Sequence, residues 1–372
     1  MPEAQTQAGG TPAPAGTFVY VSNAADGDIG CYRMRPDGML APIMRVKAAD
    51  LVGPLAASPD RRFLYAAVRS RPYSVHVYAI EPRSGALQPL SVSPLAESCP
   101  YIALDRSGRY LFGASYHAHR ISVNAVGADG RVAAMPLQLI PVGRNAHSIR
   151  CDESNRYVYV PALGSDQIFQ FTFDANSGRL ASNTPAVAQM QPGTGPRHFV
   201  SSADNKFLYV LSELLATVTT FALDANTGLL AEIGSASALP PDTQLVPGAP
   251  RAAAGTADTA PARNRERDIW AADIHLTPDG RFLYVSERTG STLGGFKVNG
   301  ASGKLTYLGS TPTEPQPRGF AIDARGRYLV ACGERSDTIS VYAIDAQSGA
   351  LARLQQCPGG KGANWVEIVG FD

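Results

Sequence analysis

A short cadence of turn residues followed by aromatic and aliphatic residues returns along almost the whole chain, and its spacing limits the fold more than any other feature of the sequence. The fullest copy is TPDGRFLYVSE at residues 277–287. Variants are SPDRRFLYAA from Ser58, DRSGRYLFGA from Asp105, DESNRYVYVP from Asp152, ADNKFLYVL from Ala203 and DARGRYLVAC from Asp323; TFVYVS from Thr17 keeps only the second half. The aromatic residue that opens the apolar part falls at Phe18, Phe63, Tyr110, Tyr157, Phe207, Phe282 and Tyr328, with intervals of 45, 47, 47, 50, 75 and 46 residues.

Each copy reads as an apolar strand, a Pro/Asp/Gly/Ser turn and a second strand, the pattern of a β-hairpin. A third strand follows and runs into turns such as DANSGRL after Phe173 and DAQSGAL after Ile344. There an Asx side chain and a glycine supply the turn chemistry. Four strands per unit, a period near 47 residues and no helical periodicity predict an all-β chain, a seven-bladed β-propeller of four-stranded antiparallel blades. The first unit starts at its second strand, while GANWVEIV at residues 362–369 is an inner-strand pattern with nothing after it. The C-terminal strand is therefore expected to complete the N-terminal blade and remove an open edge. The organisation this predicts is a flexible tail at residues 1–16 and one propeller over 17–372. The 75-residue interval holds a Pro/Ala/Gly-rich loop insertion at about 239–267.

Lys plus Arg number 33 against 32 Asp plus Glu, which leaves no net field to attract nucleic acid or an anionic membrane. Any anion recognition is local. Five cysteines without C-x-x-C spacing predict buried thiols rather than a disulfide framework or zinc site. The N-terminus lacks the basic and apolar regions of a secretory signal, so a cytoplasmic location is expected. His117 and His119 alternate in a loop with no evident third ligand, and no metal or other cofactor is expected. No Gly-x-Ser-x-Gly elbow or Gly-rich phosphate loop is present in the sequence.

Strand order locates the candidate site. In a four-stranded meander the first and third turns lie on one face, so the regular turns occupy one plain face of the disc. The opposite face collects the residues that follow each second strand (Ala24, Arg69, Tyr116, Leu163, Glu213, Arg288 and Glu334) and those that precede each innermost strand, among them His147, Arg197, His198, Asp273 and Arg318. Residues that differ between blades at one structural position are free to do chemistry. Arg197, Arg288, Arg318 and Arg69 predict a positive rim, with Glu213 and His147 among them and an anionic small molecule as the natural ligand. Asp273 and His275 share a strand face, either toward the channel or in a structural hydrogen bond. A structural ion pair is the plain alternative for Glu213 with Arg288.

The stretches NAHS from Asn145, GPRH from Gly195, SEL from Ser212, WAADIHLTPDGR from Trp270, ERT from Glu287, QPRGF from Gln316 and NWV from Asn364 resemble the seven-bladed lactonase family. That family includes propeller-type 6-phosphogluconolactonases and 3-carboxy-cis,cis-muconate lactonizing enzymes. The resemblance implies a lactonase, most closely of the 6-phosphogluconolactonase kind, with His147, Arg197, Glu213 and Arg288 as the catalytic set. Arg318, His198, Arg69, Asp273, His275 and Glu334 are the expected substrate contacts. Lactone hydrolysis needs an activated water, a stabilised oxyanion and a proton for the ring oxygen. The sequence leaves the base open between Glu213 and His147, and the oxyanion partner open between Arg197 and Arg288. The alternatives are a muconate-type lactonizing enzyme, a lactonase for non-phosphorylated sugar acids, or a non-catalytic binding propeller. The partner implied is a small anionic lactone, with no nucleic acid or membrane, for a monomer or weak homo-oligomer.

Overall fold

Each copy of the cadence opens the second strand of a four-stranded antiparallel sheet, and seven such sheets form a ring in the computed structural model, which describes residues 16–252 and 264–371. The second strands run Thr17–Asn23, Phe63–Val68, Tyr110–Ser115, Tyr157–Ala162, Phe207–Ser212, Phe282–Glu287 and Tyr328–Gly333. All seven are buried almost throughout, because the neighbouring blades cover both of their faces. Outer strands such as Leu87–Pro94 and Leu351–Pro358 alternate or turn polar where they meet solvent.

Closure follows the expected route. Strand Ala363–Gly370 pairs antiparallel with Thr17–Asn23, so the first blade combines the two ends of the chain in the order Ala363–Gly370, Thr17–Asn23, Asp28–Met34, Leu40–Lys47. Asn364 fastens the seam: its Oδ1 accepts from Ser22 Oγ at 3.0 Å and its Nδ2 donates to the Val52 carbonyl at 3.1 Å.

The cadence also binds each blade to the next, which its reading as turn and strand did not reveal. The opening aromatic ring lies on a turn glycine of the following blade. Gly349 has φ +74°, and a Cβ there would sit 2.4 Å from the Phe282 ring. The tyrosine two places on adds a bond, Tyr284 Oη to the Gly349 carbonyl at 2.7 Å. The arginine one place before lies over the same ring, and its Nη1 donates to the Ala346 carbonyl at 2.8 Å. Around the closure the same ring-on-glycine contact joins Tyr328 to Gly38 and Phe18 to Gly85, although Val330 stands where the tyrosine would follow Tyr328 and Thr17 where the arginine would precede Phe18. The sequence R-[FY]-x-Y is thus an inter-blade latch.

All five cysteines are buried free thiols, as expected. The insertion lies between strands Leu230–Ser237 and Ala271–Leu276, and its described parts are tied down. Val246 bridges Asp268 in parallel, the Ile269 N–H donates to the Val246 carbonyl at 2.8 Å, and the Gly248 N–H donates to the Leu214 carbonyl at 2.8 Å. Residues 253–263 of the insertion lie outside the described residues. So do residues 1–15 of the tail; Gly16 is described, and its carbonyl accepts from the Phe371 N–H at 3.1 Å.

Candidate active site

Irregular backbone at the start of the innermost strands aims the site residues. In strand Pro196–Ser201 the pairing steps from Pro196–Ser212 to His198–Leu211, so Arg197 is a bulged residue outside the ladder. The same step leaves Arg318 outside the ladder in Pro317–Ile322, and Ala272 and Asp273 outside it in Ala271–Leu276. A bulge bends its strand and re-aims the side chain. Here it turns long polar side chains toward the channel axis.

Six of the ten expected residues line one cavity of about 350 Å³: Arg69, His147, Glu213, Arg288, Arg318 and Glu334. Its centre is Glu213. Oε2 accepts from Arg197 Nε at 2.8 Å and Arg288 Nη2 at 3.0 Å, and among the described residues no donor reaches Oε1. The three side chains are 5, 0 and 2% exposed, so this ion triad is almost wholly buried at the cavity floor. Arg288 is further fixed by bonds to the carbonyls of Trp270 and Ala271 at 3.0 and 3.1 Å. Burial, opposed by the charges of Glu213 and Glu334, brings it down to about 10, so it stays protonated at neutral pH.

His147 is buried edge-on to Tyr116 and His198, with ring centroids 5.6 and 5.1 Å away. Its Nδ1 has no hydrogen-bond partner among the described residues. Burial, then the charges of Arg197 and Arg318, hold its pKa well below the ordinary histidine value, so the imidazole is neutral.

On another wall Arg318 Nη1 lies 3.4 Å from Glu334 Oε1. Burial, followed by the charge of Arg318, pulls Arg69 down to about 9, and Arg69 Nε is buried without a partner among the described residues. Burial works against ionisation of Glu334, yet Arg318, Arg288 and Arg69 outweigh it and keep the carboxyl below its usual range. One carboxylate thus faces several guanidiniums. Such a wall favours an anion.

The other four expected residues do not line this cavity. Arg197 is fully buried beneath its floor and touches the site through Glu213. His198, Asp273 and His275 were expected as substrate contacts, but the bulges and the strand direction carry them deeper. His198 Nδ1 lies 2.8 Å from Asp273 Oδ1, and His275 Nε2 lies 3.2 Å from Asp273 Oδ2, which is the structural Asp–His arrangement. His275 lines a second cavity of about 380 Å³ at the plain-face end of the channel, with Tyr101, Arg150, Trp365 and Glu367. Edge-to-face contacts among Tyr101, His198 and Trp365 plug the channel between the two cavities.

Other lining residues were not among the expected contacts, although strand order places Tyr116 at this mouth. Tyr116 reaches in from the end of its second strand and donates to the Arg251 carbonyl at 2.9 Å. Trp270 lies between the guanidiniums of Arg251 and Arg288, each 3.7 Å from its ring. Arg251 and Arg265 arrive from the insertion, whose low-complexity sequence marks none of its residues. Trp270 was detectable, since a tryptophan directly before an innermost strand breaks the pattern of the other blades. His117 lies at the rim, while His119 Nδ1 accepts from the Asn145 N–H at 3.0 Å. Among the described residues no group of three His, Cys, Asp or Glu could hold a metal ion.

A ring of seven four-stranded blades holds a buried Arg–Glu–Arg triad beside a cavity of small-molecule size at one mouth, and sequence comparison gives the family. The chain belongs to the family described as Lactonase, 7-bladed beta-propeller, which matches residues 19–368. It is 38% identical over 352 residues to a 6-phosphogluconolactonase of Serratia proteamaculans, covering 95% of this chain and 98% of that protein. A 6-phosphogluconolactonase of Pectobacterium carotovorum is 35% identical over 354 residues, 95% of this chain and 99% of the relative. Among solved structures, the periplasmic gluconolactonase of Pseudomonas aeruginosa superposes with a TM-score of 0.80 at 28% identity, covering 95% of this chain and 99% of that one.

Proposed function

We propose that the protein hydrolyses 6-phosphogluconolactone to 6-phosphogluconate, a step of the pentose phosphate pathway, and does so in the cytoplasm, where a phosphorylated metabolite is retained. One observation carries the reading. A carboxylate with one oxygen tied to two guanidiniums and the other untied lies in a cavity that also holds Arg69 and Arg318. The names of the relatives agree with it.

In this reading Glu213 Oε1 takes a proton from water as the water oxygen bonds to the lactone carbonyl carbon. The carbonyl π pair moves onto oxygen, and Arg288, whose Nη1 has no protein partner among the described residues, meets that oxyanion. When the intermediate collapses, the bond from the carbonyl carbon to the ring oxygen breaks, and the proton held by Glu213 passes to the departing oxygen. His147 stays neutral and holds the water; its depressed pKa makes it the weaker choice of base. Arg69 and Arg318 take the phosphate.

The likeness to a gluconolactonase favours a second reading, in which the same cavity accepts the lactone without phosphate. Purified protein supplied with fresh phosphorylated and unphosphorylated δ-lactone separates the two. Acceleration over spontaneous opening, with kcat/KM higher for the phosphorylated substrate, is expected. Equal or better use of the unphosphorylated lactone overturns the assignment of Arg69 and Arg318, and no acceleration of either overturns the activity.

A further inference from the structure

Beneath the cavity floor a hydrogen-bonded row joins the triad to the far end of the channel. Arg197 Nε donates to Glu213, and Arg197 Nη1 meets His198 Nε2 at 3.1 Å and also donates to the Ala272 carbonyl. His198 Nδ1 meets Asp273 Oδ1 at 2.8 Å. A guanidinium only donates, so His198 Nε2 must accept. The His198 proton is therefore on Nδ1, and it requires an acceptor at Asp273.

Asp273 is built to be that acceptor. Oδ1 also accepts from the Ile274 N–H at 3.0 Å, and Oδ2 accepts from the Phe320 N–H at 3.3 Å and faces His275 Nε2 at 3.2 Å. Every neighbour of the carboxylate is a donor. An amide of the same shape would present its NH₂ to a donor in either orientation.

We infer that Asp273 is a positioning residue for the hydrolysis: it fixes His198 in the Nδ1–H tautomer, and His198 in turn holds the Arg197 guanidinium in the plane that pins Glu213 Oε2. This rests on the proposed roles of Glu213 and Arg288. The surroundings agree with it. Burial, then the charge of Arg197, brings His198 down to about 3, so it is neutral. Burial opposes ionisation of Asp273, but the charge of His275 and the bonds from both histidines hold it well below the usual carboxylate range. The row does for a buried Arg–Glu pair what an orienting carboxylate does for a catalytic histidine.

The test is Asp273→Asn, with His198→Phe as a second variant that keeps the contacts to Tyr101 and Trp365 but removes the acceptor for Arg197. For the phosphorylated δ-lactone, kcat is expected to fall about 10- to 100-fold in either variant, with KM within about twofold, because a small misplacement of a reacting group costs that much. Imidazole ¹⁵N NMR of the wild-type protein, assigned by loss of the signal in His198→Phe, should show His198 protonated on Nδ1, and in Asp273→Asn the Nδ1–H form should lose population, because its carboxylate acceptor is gone while Arg197 still opposes an Nε2 proton. A rise in KM at constant kcat would make these residues substrate contacts and overturn the inference. So would a depleted Nδ1–H form with unchanged kcat, or a wild-type His198 protonated on Nε2. If the wild-type protein opens no lactone, the proposed activity falls, while the tautomer measurement still decides whether Asp273 controls His198.

Discussion

Replacing Glu213 with glutamine keeps an oxygen that can accept from Arg197 and Arg288 but deletes the charge that balances two buried guanidiniums. Removing one member of a buried ion pair costs about 3–5 kcal/mol, because the charge left behind has no partner. The retained amide oxygen places Glu213→Gln near the lower end, at about 3 kcal/mol. With an unfolding entropy of about 2.1 cal/mol/K per residue spread over 372 residues, that lowers Tm by about 4 °C. The same substitution removes the group that takes the proton from water, so kcat should fall by about 10²–10⁴. Calorimetry gives the first quantity. Progress curves at fixed pH, with spontaneous opening subtracted, give the second. A kcat within about threefold of wild type together with the lower Tm would mean that Glu213 only neutralises charge and that the proposed chemistry is wrong. A lost kcat with unchanged Tm would refute the charge-balance reasoning instead.

Arg69→Ala and Arg318→Ala should each raise KM for the phosphorylated lactone by about 10- to 100-fold, the worth of a charge-assisted hydrogen bond, and change KM for the unphosphorylated lactone far less; equal effects on both substrates would show that neither arginine reads the phosphate. Gly349→Ala must place a Cβ against the Phe282 ring at positive φ, so a loss of about 2–5 kcal/mol is expected in denaturant unfolding, and a loss below about 1 kcal/mol would remove the latch as a stabilising contact. Burial raises the Glu367 carboxyl to about 7, above its value of 4.5 in the unfolded chain, so the folded state binds the extra proton between those values and gains stability as pH falls from about 7 to 4.5. Glu367→Gln should therefore stabilise the protein at pH 8 and do so progressively less below pH 7, as read from Tm against pH; a benefit independent of pH would contradict this. His147 has the opposite sign: its folded pKa is depressed, so the unfolded chain binds its proton first and stability falls as pH drops below about 6.5.

The fold was legible because the same physical problem is solved seven times. A strand covered on both faces needs the run that Phe282–Glu287 displays, and each repeat announces it with the same turn. The mouth of the channel was legible for the reverse reason, since Glu213 and Arg288 hold one structural position where the copies disagree. Depth within the channel was not legible. Arg197 and Arg318 are bulged residues at the same place in their strands, yet Arg318 reaches the cavity while Arg197 is drawn beneath its floor by its bonds to Glu213, His198 and the Ala272 carbonyl. Such depth depends on partners such as the Ala272 carbonyl of the next blade, which the side-chain pattern of one repeat does not encode. Arg251 and Arg265 were hidden because an irregular insertion has no period against which to read them. The latch was hidden because it joins residues of different blades, such as Phe282 and Gly349, that are each explained by local turn and strand chemistry.

The strand that closes the ring sets a constraint on biosynthesis. Phe18 pairs with Val369, so a strand synthesised late must find one synthesised early, and drawing together segments about 350 residues apart carries a length-dependent entropy of about 5 kcal/mol. Until then the backbone edge of Thr17–Asn23 has no inner neighbour and is open to pairing with other nascent chains. The same late strand brings Trp365, whose ring meets Tyr101 at 5.3 Å and His198 at 5.9 Å in the plug under the site. A chain that stops short of that strand therefore lacks both its seam and part of the support under its cavity, so closure of the ring and assembly of the candidate active site become one event.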